Sequence, residues 1–323
     1  MEEVLAGSVG RYVGRLAPSP TGALHLGNVR TFMIAWLRAR SQGGRIVFRM
    51  EDLDHPKDKP GAAAQAVEDL RWLGFDWYEE YVQSERIECY RQALDGIREL
   101  VYPCICSRRD VEAAQSAPHT GEQLHYPGTC RGRFASWAEA RAAKGAAPCW
   151  RFRVPDGTVV AFTDAFAGHY EQDVSRTLGD FPLARDEFGA GYTLACTVDD
   201  LLMGVTEVVR GDDLLAATPA QILLARALEP VLPKHRGAEV QRDASALKYL
   251  HVPLVVGRDG KRLAKRHGDT RVASYRAAGR SPKEIIGFLA ASCGWAERGE
   301  RVSLADLVPR FDLSTIPQVA FMV

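Results

Sequence analysis

The sequence predicts an α/β protein whose parallel sheet is linked by right-handed crossovers. Three observations carry this expectation. Short β-prone runs alternate with amphipathic helical stretches through the first hundred residues, the pattern of a parallel sheet with helices on its faces. Glycine and proline punctuate the ends of these runs. The chain is 323 residues long, enough for about two domains and a large core.

The elements follow in order. Residues 11–16 are β-prone, and Pro18-Ser19-Pro20-Thr21-Gly22 breaks the run. A helix begins near Gly27-Asn28 and reaches about Arg40, with Val29, Phe32, Met33, Trp36 and Leu37 at helical spacing. Gly43-Gly44 stops it, and Ile46 to Met50 is the next strand. A helix from about Gly61 to Leu73 ends at Gly74. Ser84 reads as the N-cap of another helix, with Glu85 and Glu88 in its first turns, reaching about Leu100. The pattern loosens after Tyr102. Residues 103–135 hold cysteines, prolines and glycines, and β-prone pieces follow at Trp150–Val154, Thr158–Phe162 and Thr206–Val209. Thr218 is expected to cap a helix running to Leu228, with Pro219 at its first position. Leu250 to Val256 reads as a strand, Arg258-Asp259-Gly260 as a turn, and the tail as mostly helical. No internal repeat or low-complexity linker is visible.

Composition narrows the function classes. Hydrophobic residues make up 46% and charged residues 25%, which excludes disordered and collagen-like chains. Lys+Arg and Asp+Glu each total 41, so a strongly basic coat is excluded while a local basic patch is not. No apolar run approaches the about 18 residues of a membrane span. Met1-Glu2-Glu3-Val4 lacks the basic start of a secretory signal. Seven cysteines in such a chain fit reduced thiols and a cytoplasmic location. Cys104, Cys106 and Cys130 lie close together in sequence, whereas Cys89, Cys149, Cys196 and Cys293 read as small apolar fillers.

Two segments carry chemistry. Residues 15–28 lie between a strand and a helix, where open parallel sheets bind ligands and where a helix N-terminus offers amides to phosphate. Gly27 admits a flat base to the backbone, and His25 can donate to a phosphate oxygen. Taken singly, this piece also reads as a helix-capping loop. The second segment, Asp259-Gly260-Lys261-Arg262-Leu263-Ala264-Lys265-Arg266-His267, reads singly as a solvated hairpin. Functionally, it is a loop whose lysine neutralises a triphosphate.

Together they resemble the paired HIGH and KMSKS signatures of class I aminoacyl-tRNA synthetases, here His25-Leu26-Gly27-Asn28 and Arg262-Leu263-Ala264-Lys265-Arg266. The first keeps its histidine and glycine. The second keeps its second lysine as Lys265, with Arg262 and Ala264 replacing the first lysine and the serine. Three further strings are similar to the glutamate branch of that family. They are Arg15-Leu16-Ala17-Pro18-Ser19-Pro20-Thr21-Gly22, Phe48-Arg49-Met50-Glu51-Asp52-Leu53-Asp54, and Val208-Val209-Arg210-Gly211-Asp212-Asp213-Leu214.

The resemblance implies a Rossmann-like catalytic core carrying an inserted acceptor-type zinc subdomain and a short helical stem-contact-like C-terminal part. It divides the chain into a first catalytic half (1–101), the insertion (102–184), a second catalytic half (185–247) and the lysine-loop and helical region (248–323). It also implies that Arg15 and Arg210 hold glutamate's carboxylate side, that Glu51 meets its ammonium, and that Tyr192 contacts it. The backbone of Arg15, Leu16, Ala17, Pro18 and Ser19 would line the same pocket. His25, Gly27, Asn28 and Lys265 would bind ATP, with magnesium on its phosphates.

Adenylation needs positioning and charge neutralisation more than acid–base chemistry, so His25 and Lys265 are assigned as transition-state stabilisers. A charged hydrogen bond is worth about 1.5–3 kcal/mol, which sets the scale for rejecting glutamine.

Cys104-x-Cys106 and Tyr126-x3-Cys130 are separated by 19 residues. Three thiolates suit a structural zinc ion. For the fourth ligand, residue chemistry favours His125 or His119, because a phenol titrates near 10. The family resemblance implies Tyr126.

Only 58 residues follow Lys265, short for a helical anticodon-binding domain. The chain therefore resembles truncated members of the family. These activate glutamate without tRNA and esterify it to queuosine in the tRNA(Asp) anticodon stem-loop. Arg131, Arg133, Arg262, Lys265, Arg266 and Arg271 are candidates to face that RNA, each also readable as solvated surface. Three rivals remain: a minimal glutamyl-tRNA synthetase charging tRNA(Glu), a catalytically inactive RNA-binding paralogue, and a small-molecule nucleotidyltransferase. A monomer is the default expectation, with no membrane contact.

Overall fold

The computed structural model describes residues 12–53, 58–114, 124–186, 189–233, 246–261, 263 and 269–323. The first unit runs Val13–Leu16 (β1), Leu26–Ser41 (α1), Arg45–Met50 (β2), Ala62–Trp72 (α2) and Glu79–Val82 (β3), followed by Ile87–Gly96 (α3). An intervening stretch holds Val101–Cys104 (β4), Arg108–Ala114 (α4), Trp137–Lys144 (α5), Cys149–Phe152 (β5), Val159–Asp164 (β6), Gly168–Asp173 (β7), Val174–Thr177 (α6) and Phe181–Ala184 (β8). Next come Tyr192–Leu202 (α7), Glu207–Gly211 (β9), Thr218–Leu228 (α8), Lys248–Val252 (β10) and Val255–Val256 (β11). Val272–Ala277 (α9), Pro282–Ala291 (α10), Leu304–Leu307 (α11) and Phe321–Met322 (β12) complete the described elements.

β1, β2 and β3 form a parallel sheet in that order. β9 and β10 pair in parallel, β10 pairs with β6, and β6 with β7, giving a second sheet in the order β7-β6-β10-β9. The two sheets meet at β1 and β9. Thr206 N donates to Val13 O at 2.9 Å, and Thr206 Oγ1 accepts from Val13 N at 2.9 Å. Two residues further along β1, the Arg15 side chain, not its backbone, reaches Val209 O at 2.6 Å. From β1 the chain winds one way through β2 and β3, and β9 and β10 build in the other direction. The seam is therefore a topological switch point, where ligands bind at the carboxyl ends of strands.

α1 crosses this architecture with Val29, Met33, Ile34 and Leu37 fully buried. It packs in one core with Ile46 and Phe48 of β2, Leu70 of α2, and Ile286 and Leu289 of α10. Arg30, also buried, ties α1 to the C-terminal part by donating to Ser292 Oγ at 2.9 Å and Pro253 O at 2.8 Å. The helix stops at Gly43-Gly44 for a steric reason. Gly43 has φ +63°, and a Cβ on Gly44 would sit 2.5 Å from Tyr12 O.

A second core joins Tyr90 and Leu94 of α3, Leu194 and Val198 of α7, and Leu224 and Leu228 of α8. The intervening stretch has its own antiparallel sheet, β4-β5-β8, and stacked ring pairs Trp137–Trp150 and Phe152–Phe181. It is fastened to the β9–β10 pair, because Asp164 of β6 pairs with Tyr249 of β10.

Several expected elements differ. The single helix expected from Ser84 to Leu100 is broken into a 3-10 turn at Gln83–Arg86, then α3, then a 3-10 turn at Arg98–Leu100. Ser84 does not cap it. Its N–H and hydroxyl donate to Asp52 at 2.8 and 2.6 Å, fastening the turn to the exit of β2. Thr218 is the first residue of α8 and Ala217 the cap, because the threonine oxygen accepts from Arg210 Nη2 while its hydroxyl donates to Leu214 O. Pro253 splits the strand expected over 250–256 into β10 and β11. β7, β8 and α7 were not anticipated.

Candidate active site and metal centre

A cleft of about 620 Å³ opens at the β1–β9 seam. It brings together ten of the residues singled out in the sequence: Arg15, Ala17, Pro18, Ser19, His25, Gly27, Asn28, Glu51, Tyr192 and Arg210. Leu16 is different. Its side chain is fully buried in the α1 core, so only its backbone can serve the cleft. Lys265, Arg262 and Arg266 lie outside the described residues, but Leu263 of the same loop lines the cleft.

His25 is the N-cap of α1. Its Nδ1 accepts from Gly27 N at 3.1 Å, while Asn28 Oδ1 accepts from His25 N at 3.1 Å, a reciprocal capping box. A neutral ring accepting at Nδ1 carries its proton on Nε2. The 16-residue helix behind it directs the positive end of its dipole at the cleft. Gly27 packs tightly against the imidazole, with an added Cβ only 3.0 Å from the ring. Residues 24–26 are bound to the far end of the lysine-bearing loop: Leu26 N donates to Thr270 O at 3.1 Å and Val272 N to Leu24 O at 2.9 Å.

The opposite side is a buried ionic network. Arg49, wholly buried, donates to Asp200 Oδ1 at 2.7 Å and to Glu51 Oε1 at 3.0 Å, and lies 3.9 Å from Asp199. Asp199 is held by Arg86 at 2.8 Å, Gln83 at 3.0 Å and the Tyr90 hydroxyl at 2.8 Å. Tyr192, Cys196, Asp199 and Asp200 all come from α7, four and three or four residues apart, so a single helix carries the tyrosine and the carboxylate platform. Cys196 is no mere filler, since its thiol donates to Glu51 Oε1 at 3.1 Å.

Arg15 is buried. Besides Val209 O it has Asp200 at 3.6 Å, and its Nε finds no hydrogen-bond partner among the described residues. Arg210, also buried, donates from Nε to His251 Nε2 at 3.0 Å and from Nη2 to Thr218 Oγ1 at 2.8 Å. Among the described residues it forms no ion pair with a carboxylate. Two buried guanidiniums with incomplete charge compensation thus face one cleft, and Glu51 supplies a carboxylate beside them. Sequence reasoning missed Arg49, Asp164, Asp199, Asp200, Thr218 and His251. The available signal was charge inside otherwise apolar runs, as at Val198-Asp199-Asp200-Leu201 and Leu250-His251-Val252.

Away from the cleft, Cys104, Cys106 and Cys130 place their sulfurs within 4.8 Å of one another and could hold a metal ion. Cys106 and Cys130 Sγ are 3.6 Å apart, and the Tyr126 hydroxyl lies 3.3 Å from Cys104 Sγ and 3.8 Å from Cys106 Sγ. With Zn–S near 2.3 Å and Zn–O near 2.0 Å, a tetrahedral site calls for about 3.8 Å between sulfurs and about 3.5 Å from sulfur to oxygen. The donor set fits.

Of the alternative fourth ligands, His125 turns to Ser175 O at 3.2 Å, and His119 lies outside the described residues. Cys149 is also not a filler. It faces Cys104 across the β4–β5 pair, and its hydrogen bond is the foremost cause holding the Cys104 thiol down to about 4, aided by Tyr126 and Arg151. Arg151 donates to Cys104 Sγ at 3.2 Å and lies over the Tyr126 ring. Arg131 is committed to Asp180, Asp156 and Val154 O, and Arg271 to Asp269. Arg133 stays exposed beside Phe134.

The parallel sheet, its switch-point cleft and the histidine-capped helix define the catalytic domain of a class I tRNA synthetase. Residues 12–313 match the family model for tRNA synthetases class I (E and Q), catalytic domain. A glutamate tRNA ligase of Elizabethkingia meningosepticum, solved with its amino acid, shares the fold: the TM-score is 0.76 at 24% identity, covering 97% of this chain and 67% of that one.

Among curated relatives, the Glutamyl-Q tRNA(Asp) synthetase of Symbiobacterium thermophilum is 46% identical, with 94% of each chain covered. That of Nocardia farcinica is 41% identical, covering 96% of this chain and 93% of its own. The Glutamate--tRNA ligase of Aquifex aeolicus is 36% identical over 94% of this chain but only 62% of its own. The chain belongs to the class I glutamate and glutamine tRNA synthetase family, in the branch whose members bear the name glutamyl-Q tRNA(Asp) synthetase.

Proposed function

We propose that this chain activates glutamate with ATP, without tRNA, and transfers it to queuosine in the anticodon stem-loop of tRNA(Asp). The observation that carries the reading is the cleft itself, where Arg15, Arg210 and Glu51 line the same space as the His25-capped start of α1. A glutamate molecule has two carboxylates and one ammonium. Arginine forks suit the former and a carboxylate the latter.

In this scheme Arg15 and Arg210 bind the carboxylate side and Glu51 the ammonium. Tyr192 and the backbone of residues 15–19 close the pocket. The α-carboxylate attacks the α-phosphorus of ATP, a mixed anhydride forms, and pyrophosphate departs with its magnesium. His25 donates from Nε2 to a phosphate oxygen, Gly27 and Asn28 accommodate the nucleotide, and Lys265 neutralises the leaving group. A hydroxyl of queuosine's cyclopentene-diol then attacks the activated carbonyl, and AMP leaves.

The division into catalytic halves (1–101 and 185–247), insertion (102–184) and C-terminal region (248–323) belongs to this reading. Cys104, Cys106, Tyr126 and Cys130 would hold zinc, which when bound cross-links the insertion and takes no part in adenylation. Arg133 and the lysine-loop cations would meet the RNA. The protein works as a cytoplasmic monomer. Among the described residues no helix is long and apolar enough to cross a membrane.

The test offers labelled glutamate, ATP and magnesium with either queuosine-containing tRNA(Asp) or tRNA(Glu). Labelling of tRNA(Asp) only, abolished when periodate cleaves the diol, is expected. Labelling of tRNA(Glu) at its 3′ end would replace the proposal with a minimal glutamyl-tRNA synthetase, and no pyrophosphate exchange at all would indicate an inactive paralogue.

A further inference from the structure

We propose that His251, oriented by Asp164, is a positioning residue that aims the Arg210 guanidinium into the cleft without neutralising it. This inference rests on the reading of Arg210 as a glutamate-carboxylate receptor and adds to it the device that keeps that arginine fit for the task.

Arg210 is fixed at two of its nitrogens, and both acceptors are uncharged: His251 Nε2 at 3.0 Å and Thr218 Oγ1 at 2.8 Å. A carboxylate in either place would fix the guanidinium equally well but would satisfy its charge, so that the substrate's carboxylate would have to compete for it. A neutral acceptor holds the fork and leaves its charge for the ligand.

Imidazole accepts at Nε2 only when its proton sits on Nδ1. That tautomer is enforced by Asp164, whose Oδ2 lies 2.6 Å from His251 Nδ1. Asp164 is anchored in turn by the backbone N–H groups of Phe166 at 3.0 Å, Ala167 at 2.8 Å and His251 at 3.1 Å. The Thr218 hydroxyl donates to Leu214 O at 3.1 Å, which turns an oxygen lone pair toward Arg210. The end of β6, the middle of β10 and the start of α8 thus converge on one guanidinium at the end of β9.

His251 is itself 1% exposed and stacks on Tyr249. Burial, together with the neighbouring arginine cations, holds its pKa below the ordinary histidine value against the pull of Asp164, which keeps the ring neutral at pH 7.

A structural polar cluster would predict lost stability and nothing selective. The positioning role predicts a selective loss of glutamate binding, read by glutamate- and ATP-dependent pyrophosphate exchange on the full chain, with melting temperature recorded in parallel. His251→Phe keeps the ring and the stack but removes the acceptor. It is expected to raise the KM for glutamate by about tenfold or more, the scale of one hydrogen bond to a charged group, while the KM for ATP stays within about twofold. His251→Gln, whose carbonyl can accept from Arg210 Nε, should recover most of that loss.

If His251→Phe does not fold, His251→Asn carries the test, because its amide still reaches Asp164 but falls short of Arg210. The same glutamate-selective rise is expected. Equal changes in both KM values, no rescue by Gln, or an unchanged glutamate KM while Arg210→Ala raises it would overturn the proposal. An unchanged glutamate KM in Arg210→Ala would instead remove the underlying assignment of Arg210.

Discussion

Arg49→Met isolates what the buried ionic network contributes. Arg49 is 0% exposed and faces three carboxylates, at 2.7 Å (Asp200), 3.0 Å (Glu51) and 3.9 Å (Asp199). Methionine fills a similar volume, so the cavity contribution is small and the loss comes from charge. Asp199 keeps Arg86, Gln83 and Tyr90 and tolerates the change. Among the described residues Asp200 keeps Arg15 at 3.6 Å, and Glu51 the Cys196 thiol at 3.1 Å. Removing one partner from a buried pair costs about 3–5 kcal/mol, and two close pairs are broken at once, so the upper half of that range is expected.

The assay is equilibrium unfolding in urea at pH 7, comparing wild type, Arg49→Met, and Arg49→Met combined with Asp200→Asn. The second substitution removes one orphaned charge, so the double variant should regain about 1–3 kcal/mol relative to additivity. A loss below about 1 kcal/mol in Arg49→Met, or strictly additive substitutions, would refute the claim that Arg49 neutralises the α7 carboxylates. The glutamate KM should rise in the same variant, because Glu51 loses the guanidinium that aims it.

Other expectations follow from the same geometry. Arg210→Ala should raise the glutamate requirement in pyrophosphate exchange by about ten- to hundredfold, the value of a charged hydrogen bond, with the ATP requirement nearly unchanged; equal effects on both substrates would refute its role. Cys104→Ser with Cys106→Ser should abolish bound zinc measured by metal analysis, and Tyr126→Phe should weaken it; unchanged metal content in the double serine variant would remove the zinc assignment.

Stability should also fall on acidification. His251 has its pKa lowered, chiefly by burial, so the unfolded chain binds the proton more readily. The stabilisation is complete above about pH 6.5, the unfolded value, and is lost as pH falls through the folded value. Asp164 has the same sign at lower pH. Burial works against it, but His251 and the backbone N–H groups outweigh that and hold its pKa down. Melting temperatures from pH 8 to 5 should show the first stage, and His251→Phe should flatten it.

The parts legible in the sequence are those governed by local rules. α1 was readable because its apolar residues keep helical period between a capping histidine and a glycine pair whose geometry admits no side chain. Most of the cleft residues were readable through motif strings, because those strings are short contiguous loops that the strands β1, β2 and β9 present directly. α7 was not, because its eleven residues lack a side-chain cap and mix β-branched with acidic residues, and its two aspartates find their partners Arg49 and Arg86 on distant segments. β7 hid for a related reason, although its partner β6 was read as β-prone, since the hairpin serves a sheet completed only by β10, about eighty residues later.

The misreadings of Ser84, Thr218 and Cys196 share a cause that bears on how the site is built. Each was assigned the role its residue type usually plays: a cap, a cap and an apolar filler. In each case the polar atom is instead spent on another side chain, namely Asp52, the neighbour of Glu51, for Ser84, and the cleft residues Arg210 and Glu51 for Thr218 and Cys196. Local propensity lost to a long-range polar partner because an unsatisfied buried charge costs more than a missing cap, which is worth about 1 kcal/mol. The switch point makes that demand acute. Among the described residues a single backbone hydrogen bond, from Thr206 N just ahead of β9 to Val13 O, joins the two strands, and they leave their carboxyl ends without a shared ladder. Side chains bridge the gap instead: Arg15 donates to Val209 O, Arg49 of β2 donates to Asp200 of α7, and Tyr12 and Arg38 both donate to Glu207 of β9. Arg15, which would receive glutamate's carboxylate, is thus also a charge that joins the two half-sheets, so substitution there should move stability and substrate affinity together, whereas a substitution at His251, whose partners all lie on the β9–β10 side, should separate them.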